Sequence, residues 1–127
     1  TLGVCMFACQ GVKDVLSLAT KSLATATGWD DFTEEDALRV GERTIILMRL
    51  IAISRGFKKS DELDVGKRLL EAPTGGPAAG ISMAPYLEEM VDRYYAAAGW
   101  DVGSGCPTQA AIKSLGMEDV ANWLGIT

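Results

Sequence analysis

The chain has 127 residues, of which 48% are hydrophobic, and a formal net charge of −5 from 12 basic and 17 acidic side chains. That length and composition suit one domain with a real core and exclude a disordered tail, and an acidic chain without a basic stripe is not a nucleic-acid binder. With no histidine anywhere, His-based acid–base catalysis, Ser-His-Asp or Cys-His nucleophiles and His metal ligation are all excluded.

The first residues, Thr1-Leu2-Gly3-Val4-Cys5, read as the interior of a longer polypeptide, without an initiator Met or a signal peptide. Cys5 sits just ahead of a helical pattern and near a glycine, a setting that suits a metal-cluster ligand whose partners lie upstream. A cubane cluster commonly takes three thiolates from one tight loop and a fourth from a distant segment. This chain has no tight three-Cys loop, so it can supply the distant ligand only. On spacing alone the competing reading, a small buried hydrophobe, is the commoner fate of a free cysteine. Cys9, one helical turn on, and Cys106, in a Gly-Cys-Pro turn, read as packing. Three cysteines fit a reducing compartment better than a disulfide framework, and a cytoplasmic location is expected.

Residues 12–27 form the first predicted helix, with Val12, Val15, Leu16, Ala19 and Leu23 on one face and Gly28 as its stop. Thr33 followed by Glu34, Glu35 and Asp36 opens a second helix, since a hydroxyl caps free N–H groups and acids suit the positive end of the dipole. It runs to about Arg55, with Gly56 beyond. From Ile45 to Ile53 it is apolar all round, which predicts burial all round and a central place in a bundle, covered in part by surfaces of a larger protein. The same run is too short, and too interrupted by Arg49, to span a membrane, which takes about 20 apolar residues. Glu42 and Arg43 within it read as a buried ion pair with neighbouring helices.

A weaker helical stretch over residues 60–71 is broken by Gly66 and stopped by Pro73. The Gly-rich segment 74–80 lacks a Gly-Lys-Ser/Thr ending and a preceding strand, so it reads as a plain loop and not a phosphate cradle. Pro85 opens the next helix, whose stripe is Leu87, Met90, Val91, Tyr94 and Ala98, with Glu88, Glu89, Asp92 and Arg93 on the wet face. Tyr94-Tyr95 and Gly99-Trp100-Asp101 read as packing at that helix end. A turn at 101–105, a short helix from Pro107-Thr108 to Gly116 and a last turn at 118–124 follow. No strand-like alternation occurs, so the expected fold is an all-α multihelical bundle forming a single helical domain, residues 1–127.

The residues taken together resemble the C-terminal helical domain of the tungsten-containing aldehyde ferredoxin oxidoreductase family. Thr1-Leu2-Gly3-Val4-Cys5 is similar to the tail of the family's Asp-x-x-Gly-Leu-Cys motif, with Val4 for Leu. Ala26-Thr27-Gly28-Trp29, Glu34-Glu35, Gly41-Glu42-Arg43, Leu47, Arg49-Leu50 and Arg55-Gly56-Phe57 follow family runs in register. Lys67 to Glu71 with Pro73, Gly76-Pro77, Tyr94-Tyr95, Gly99-Trp100-Asp101 and Pro107-Thr108 continue them. Ile51-Ala52 and Val65-Gly66 depart from the family's pattern, which leaves the substrate open.

The resemblance implies that Cys5 is the fourth ligand of a [4Fe-4S] cluster, with Gly3 and Val4 beside a tungsten-bearing bis-pterin. The remaining ligands would lie in upstream domains of the same protein, and neither cofactor is complete in this chain. It implies oxidation of aldehydes to carboxylic acids, with electrons passing to ferredoxin or an electron-transfer subunit, and an inactive chain in isolation. Two alternatives stay open: a subunit of an aryl-CoA reductase of the same family, and a non-catalytic helical interaction module.

Overall fold

The computed structural model describes residues 10–126, so Gly3, Val4, Cys5 and Cys9 lie outside the described residues. The described chain is all-α, with seven α-helices, one 3-10 turn, an isolated bridge between Trp100 and Pro107 and no sheet. It divides into two compact units, Thr1–Leu47 and Met48–Thr127, and the long second helix runs through the boundary.

In the first unit, α1 spans Val15–Thr27. It starts three residues later than the periodicity predicts, because Asp14 preceding it is left-handed at φ 55°. Val12 is therefore off the helix and exposed. Gly28 ends α1 at φ 76°, a conformation that costs glycine little, and its N–H reaches the Ala24 carbonyl. Thr20 is buried, and its hydroxyl is satisfied by donating to the Leu16 carbonyl at 2.8 Å.

Helix α2, Glu34–Ser54, starts as its sequence dictates. The Thr33 hydroxyl accepts from the Asp36 N–H at 3.1 Å, and the Asp36 carboxylate accepts from the Thr33 N–H at 2.9 Å and hydroxyl at 2.6 Å. This is a reciprocal cap, with aspartate where glutamate is usual. The hydrogen bond from the Thr33 hydroxyl, and then that from its N–H, holds the Asp36 carboxyl below the ordinary carboxylate range. A depressed carboxyl stabilises the fold above its ordinary pKa, and that contribution disappears as pH falls through the folded value. Thr33→Ala should therefore move the Asp36 titration, followed by carboxyl chemical shift, up towards the ordinary range. An unchanged midpoint would show that the cap does not hold the carboxylate.

The burial expected all round α2 is not what its sequence produces. Ile46, Arg49 and Leu50 are buried, at the i, i+3, i+4 spacing of one face, whereas Ile45 and Met48 are 48% and 66% exposed. Glu42 and Arg43 are also exposed, so the expected buried ion pair is not theirs. It belongs to Arg49. The hydrogen bonds that a buried guanidinium demands decide which side of this nearly uniform helix turns inward.

In the second unit, α3 (Lys59–Leu63) and α4 (Lys67–Leu70) are separated near Gly66, as expected. The loop that follows is a turn, closed by Gly80 N–H on the Pro73 carbonyl at 2.9 Å and tied down by the Ser82 hydroxyl on the Leu70 carbonyl at 2.6 Å. A 3-10 turn at Ala84–Tyr86, carrying Pro85, leads into α5, Leu87–Ala97. The inward face of α5 agrees with the apolar stripe of the sequence in part: Leu87, Val91 and Ala98 are half-buried. Met90 and Tyr94 are about half exposed, Tyr95 is fully buried and Asp92 is half-buried. Half-buried Asp92 meets Lys59 in an ion pair, and Tyr95 turns in because its hydroxyl has partners inside. Helices α6 (Gln109–Ser114) and α7 (Glu118–Trp123) close the chain. Thr108 caps α6, accepting from Ala111 N–H at 3.2 Å. Leu50, Tyr95, Trp100, Ile112, Leu115, Met117 and Ala121 form the hydrophobic core of this unit, in which Arg49, Gly105 and Pro107 are also buried.

Candidate functional site

The chemistry of the second unit concentrates on Arg49. Its position in α2 places it next to Leu50 on the buried face, with 6% of its surface exposed. Each part of the guanidinium has a partner. Nε donates to the Gly105 carbonyl at 2.7 Å, Nη1 to Glu62 Oε1 at 2.8 Å and Nη2 to the Tyr95 hydroxyl at 2.7 Å. The Tyr95 hydroxyl donates in turn to Glu62 Oε2, so the carboxylate takes one bond from each. Three rings enclose the cation. Its Cζ lies 5.1 Å from the centroids of Tyr95 and Trp100 and 5.2 Å from that of Phe57. Such distances are within cation–π range. A planar fork with donors in several directions suits this position, which a lysine could not fill.

The loop that presents Gly105 is held from its other side. Asp101 Oδ1 accepts from Ser104 N–H at 2.8 Å and from its hydroxyl at 2.6 Å, and these bonds hold the Asp101 carboxyl below its ordinary range. Asp101 N–H donates to the Cys106 carbonyl at 2.8 Å, and Gly105 N–H to the Asp101 carbonyl at 2.7 Å. Gly105 itself sits at φ 69°. An added Cβ there would overlap Arg49 Nη2 and lie 2.6 Å from the Tyr95 hydroxyl, so no larger residue fits.

Burial, and then the hydrogen bond to Glu62, pushes the Tyr95 hydroxyl above the ordinary tyrosine range. A raised tyrosine favours the folded state below its ordinary pKa, and this contribution is lost as pH rises through the folded value. In an alkaline absorbance titration of the three tyrosines, one should titrate late and together with unfolding. That late phase should vanish in Tyr95→Phe; its persistence would assign it to Tyr86 or Tyr94.

Among the described residues no group of three or more His, Cys, Asp or Glu side chains is placed to hold a metal ion. Cys106 is half-buried, and burial pushes its thiol up, away from the thiolate that a metal requires. The described residues therefore do not fit a cluster. The expected site residues Gly3, Val4 and Cys5 lie outside the described residues. Sequence reasoning assigned no role to Arg49 or Glu62. The signal for Arg49 was present: it is the one charge in an apolar run, and a charge removed from water needs partners.

An all-α domain organised around a buried, ring-enclosed arginine is the class that fold and site define. Residues 1–117 match the family profile described as "Aldehyde ferredoxin oxidoreductase, domains 2 & 3", and the chain belongs to this family. It is similar to the tungsten-containing aldehyde ferredoxin oxidoreductases of Pyrococcus abyssi, at 35% identity over 123 residues, and of Pyrococcus horikoshii, at 35% over 118 residues. The corresponding protein of Pyrococcus furiosus is 32% identical over 123 residues. In each case 92% of this chain is covered, and the chain spans 18% of the relative's length. No solved structure matches it. No helix among the described residues is long and apolar enough to cross a membrane.

Proposed function

We propose that the chain is the C-terminal part of a tungstopterin and iron–sulfur oxidoreductase. The whole protein would oxidise aldehydes to carboxylic acids in the cytoplasm and pass the electrons, by way of a [4Fe-4S] cluster, to ferredoxin or an electron-transfer subunit. The observation that carries this reading is the family match over residues 1–117, together with relatives named as tungsten-containing aldehyde ferredoxin oxidoreductases.

On this reading Cys5 supplies one thiolate of the cluster, Gly3 and Val4 stand beside the pterin, and upstream domains of the same protein bring the remaining ligands. The cofactors supply the redox chemistry. The described residues supply a scaffold. Arg49 ties α2 to α3 through Glu62, to α5 through Tyr95 and to the 101–106 loop through the Gly105 carbonyl.

The test is metal analysis of the full-length protein purified without oxygen, with aldehyde-dependent reduction of ferredoxin as the activity readout. The reading expects tungsten and iron together, with turnover of an aldehyde. Protein that carries neither metal would contradict it. Protein that reduces an aryl-CoA thioester but leaves aldehydes untouched would move it to the aryl-CoA reductase branch.

A further inference from the structure

A cavity of about 410 Å³ opens in the second unit, and its lining joins the end of α2, the start of α3 and the 101–106 loop. Its volume is within the range of about 300–1,000 Å³ typical of small-molecule sites. Half-buried Ile53, Phe57 and Cys106 make it mainly apolar. Its cations are Lys58 and Lys59, and no carboxylate lines it, although the chain as a whole has net charge −5.

The polar groups are not equivalent. Lys59 is already paired with Asp92, so much of its charge is answered. The Ser104 hydroxyl donates to Asp101 and accepts from Cys106 N–H, so it has little to offer a ligand. Asp101, turned to Ser104, is outside the lining. Lys58 forms no ion pair among the described residues, and it stands beside the Ser60 hydroxyl at the lining.

We infer that this cavity binds a small organic anion, its apolar body against Ile53, Phe57 and Cys106 and its monoanionic head on Lys58 and Ser60. An apolar wall with a single unanswered cation selects amphipathic anions over neutral or cationic molecules of the same shape, because only the anion gains charge complementarity when its head loses water.

Cys106 gives the cavity a built-in reporter. Octanoate is the probe, with octylammonium and octanol as its cationic and neutral counterparts. The readout is the rate of maleimide labelling at Cys106 in the full chain, resolved from Cys5 and Cys9 by peptide mass spectrometry. It is expressed as the ratio without and with ligand in the same variant. At about ten times its Kd, octanoate should slow labelling about tenfold by simple occupancy. Octylammonium should leave the rate unchanged, and octanol should protect more weakly than octanoate. Lys58→Glu should abolish protection and Lys58→Arg should keep it; both changes are at an exposed position and keep the backbone N–H that donates to Asp61 at the start of α3. Three results would each overturn the inference: no concentration-dependent protection by octanoate, equal protection by octylammonium, or protection that survives Lys58→Glu.

Discussion

Replacing Arg49 with alanine should destabilise the protein by about 3 kcal/mol, the lower end of what breaking a buried ion pair costs. The lower end applies because Glu62 keeps 30% of its side chain in contact with water and can rehydrate, whereas the guanidinium is 5% exposed. The loss has several sources at once. The Gly105 carbonyl and the Tyr95 hydroxyl lose a donor each, and the faces of Phe57, Tyr95 and Trp100 lose the cation between them. Arg49→Lys should recover little, since an ammonium cannot reproduce the fork. Urea unfolding of the three proteins measures this. A loss below about 1 kcal/mol for alanine would mean that the network is worth no more than an ordinary surface pair.

Gly105→Ala should cost about as much, for a different reason. At φ 69° an L-residue gives up about 1–2 kcal/mol of backbone energy, and overpacking adds about 1–3 kcal/mol. The overlap is with Arg49 and Tyr95 specifically, so the two substitutions should not add. In the Arg49→Ala background, Gly105→Ala should keep its backbone cost and its clash with Tyr95 and lose the part of its packing cost owed to the guanidinium. A double-mutant cycle reads this as a coupling of about 1–3 kcal/mol. Additive effects would show that the clash falls on Tyr95 alone and not on the guanidinium.

These two residues also show how much the sequence discloses. Helix ends are written locally, so Thr33, Gly28, Gly56, Gly66, Pro85, Thr108 and Gly116 all act as their chemistry suggests. The all-α class follows from the same signals. Which face of a helix turns inward is not local. From Ile45 to Ile53 nearly every side chain is apolar, so periodicity cannot choose a side, and the choice falls to Arg49 and partners 13, 46 and 56 residues away. The same holds for α5. Its apolar stripe named Met90 and Tyr94 beside the half-buried Leu87, Val91 and Ala98, but it is Tyr95 that turns fully inward, because its hydroxyl has polar partners in other segments. Arg49, Phe57, Tyr95 and Trp100 all stand in the runs that resemble the family, and the fold brings them to one point. Their convergence was invisible because it needs the tertiary arrangement. The proposed metal-binding segment was legible only through resemblance, since a lone cysteine beside a helix is more often packing than ligand.

The most direct test of the functional reading is iron content and low-temperature electron paramagnetic resonance of the full-length protein with Cys5, Cys9 or Cys106 replaced by alanine. A cluster held by Cys5 should lose a ligand in Cys5→Ala, becoming labile or converting to a three-iron form, with electron delivery to ferredoxin falling sharply. Cys9→Ala and Cys106→Ala should retain iron and an unchanged cluster signal. Full iron and an unaltered signal in Cys5→Ala would contradict the ligand assignment, and with it the part this chain is proposed to play in the enzyme.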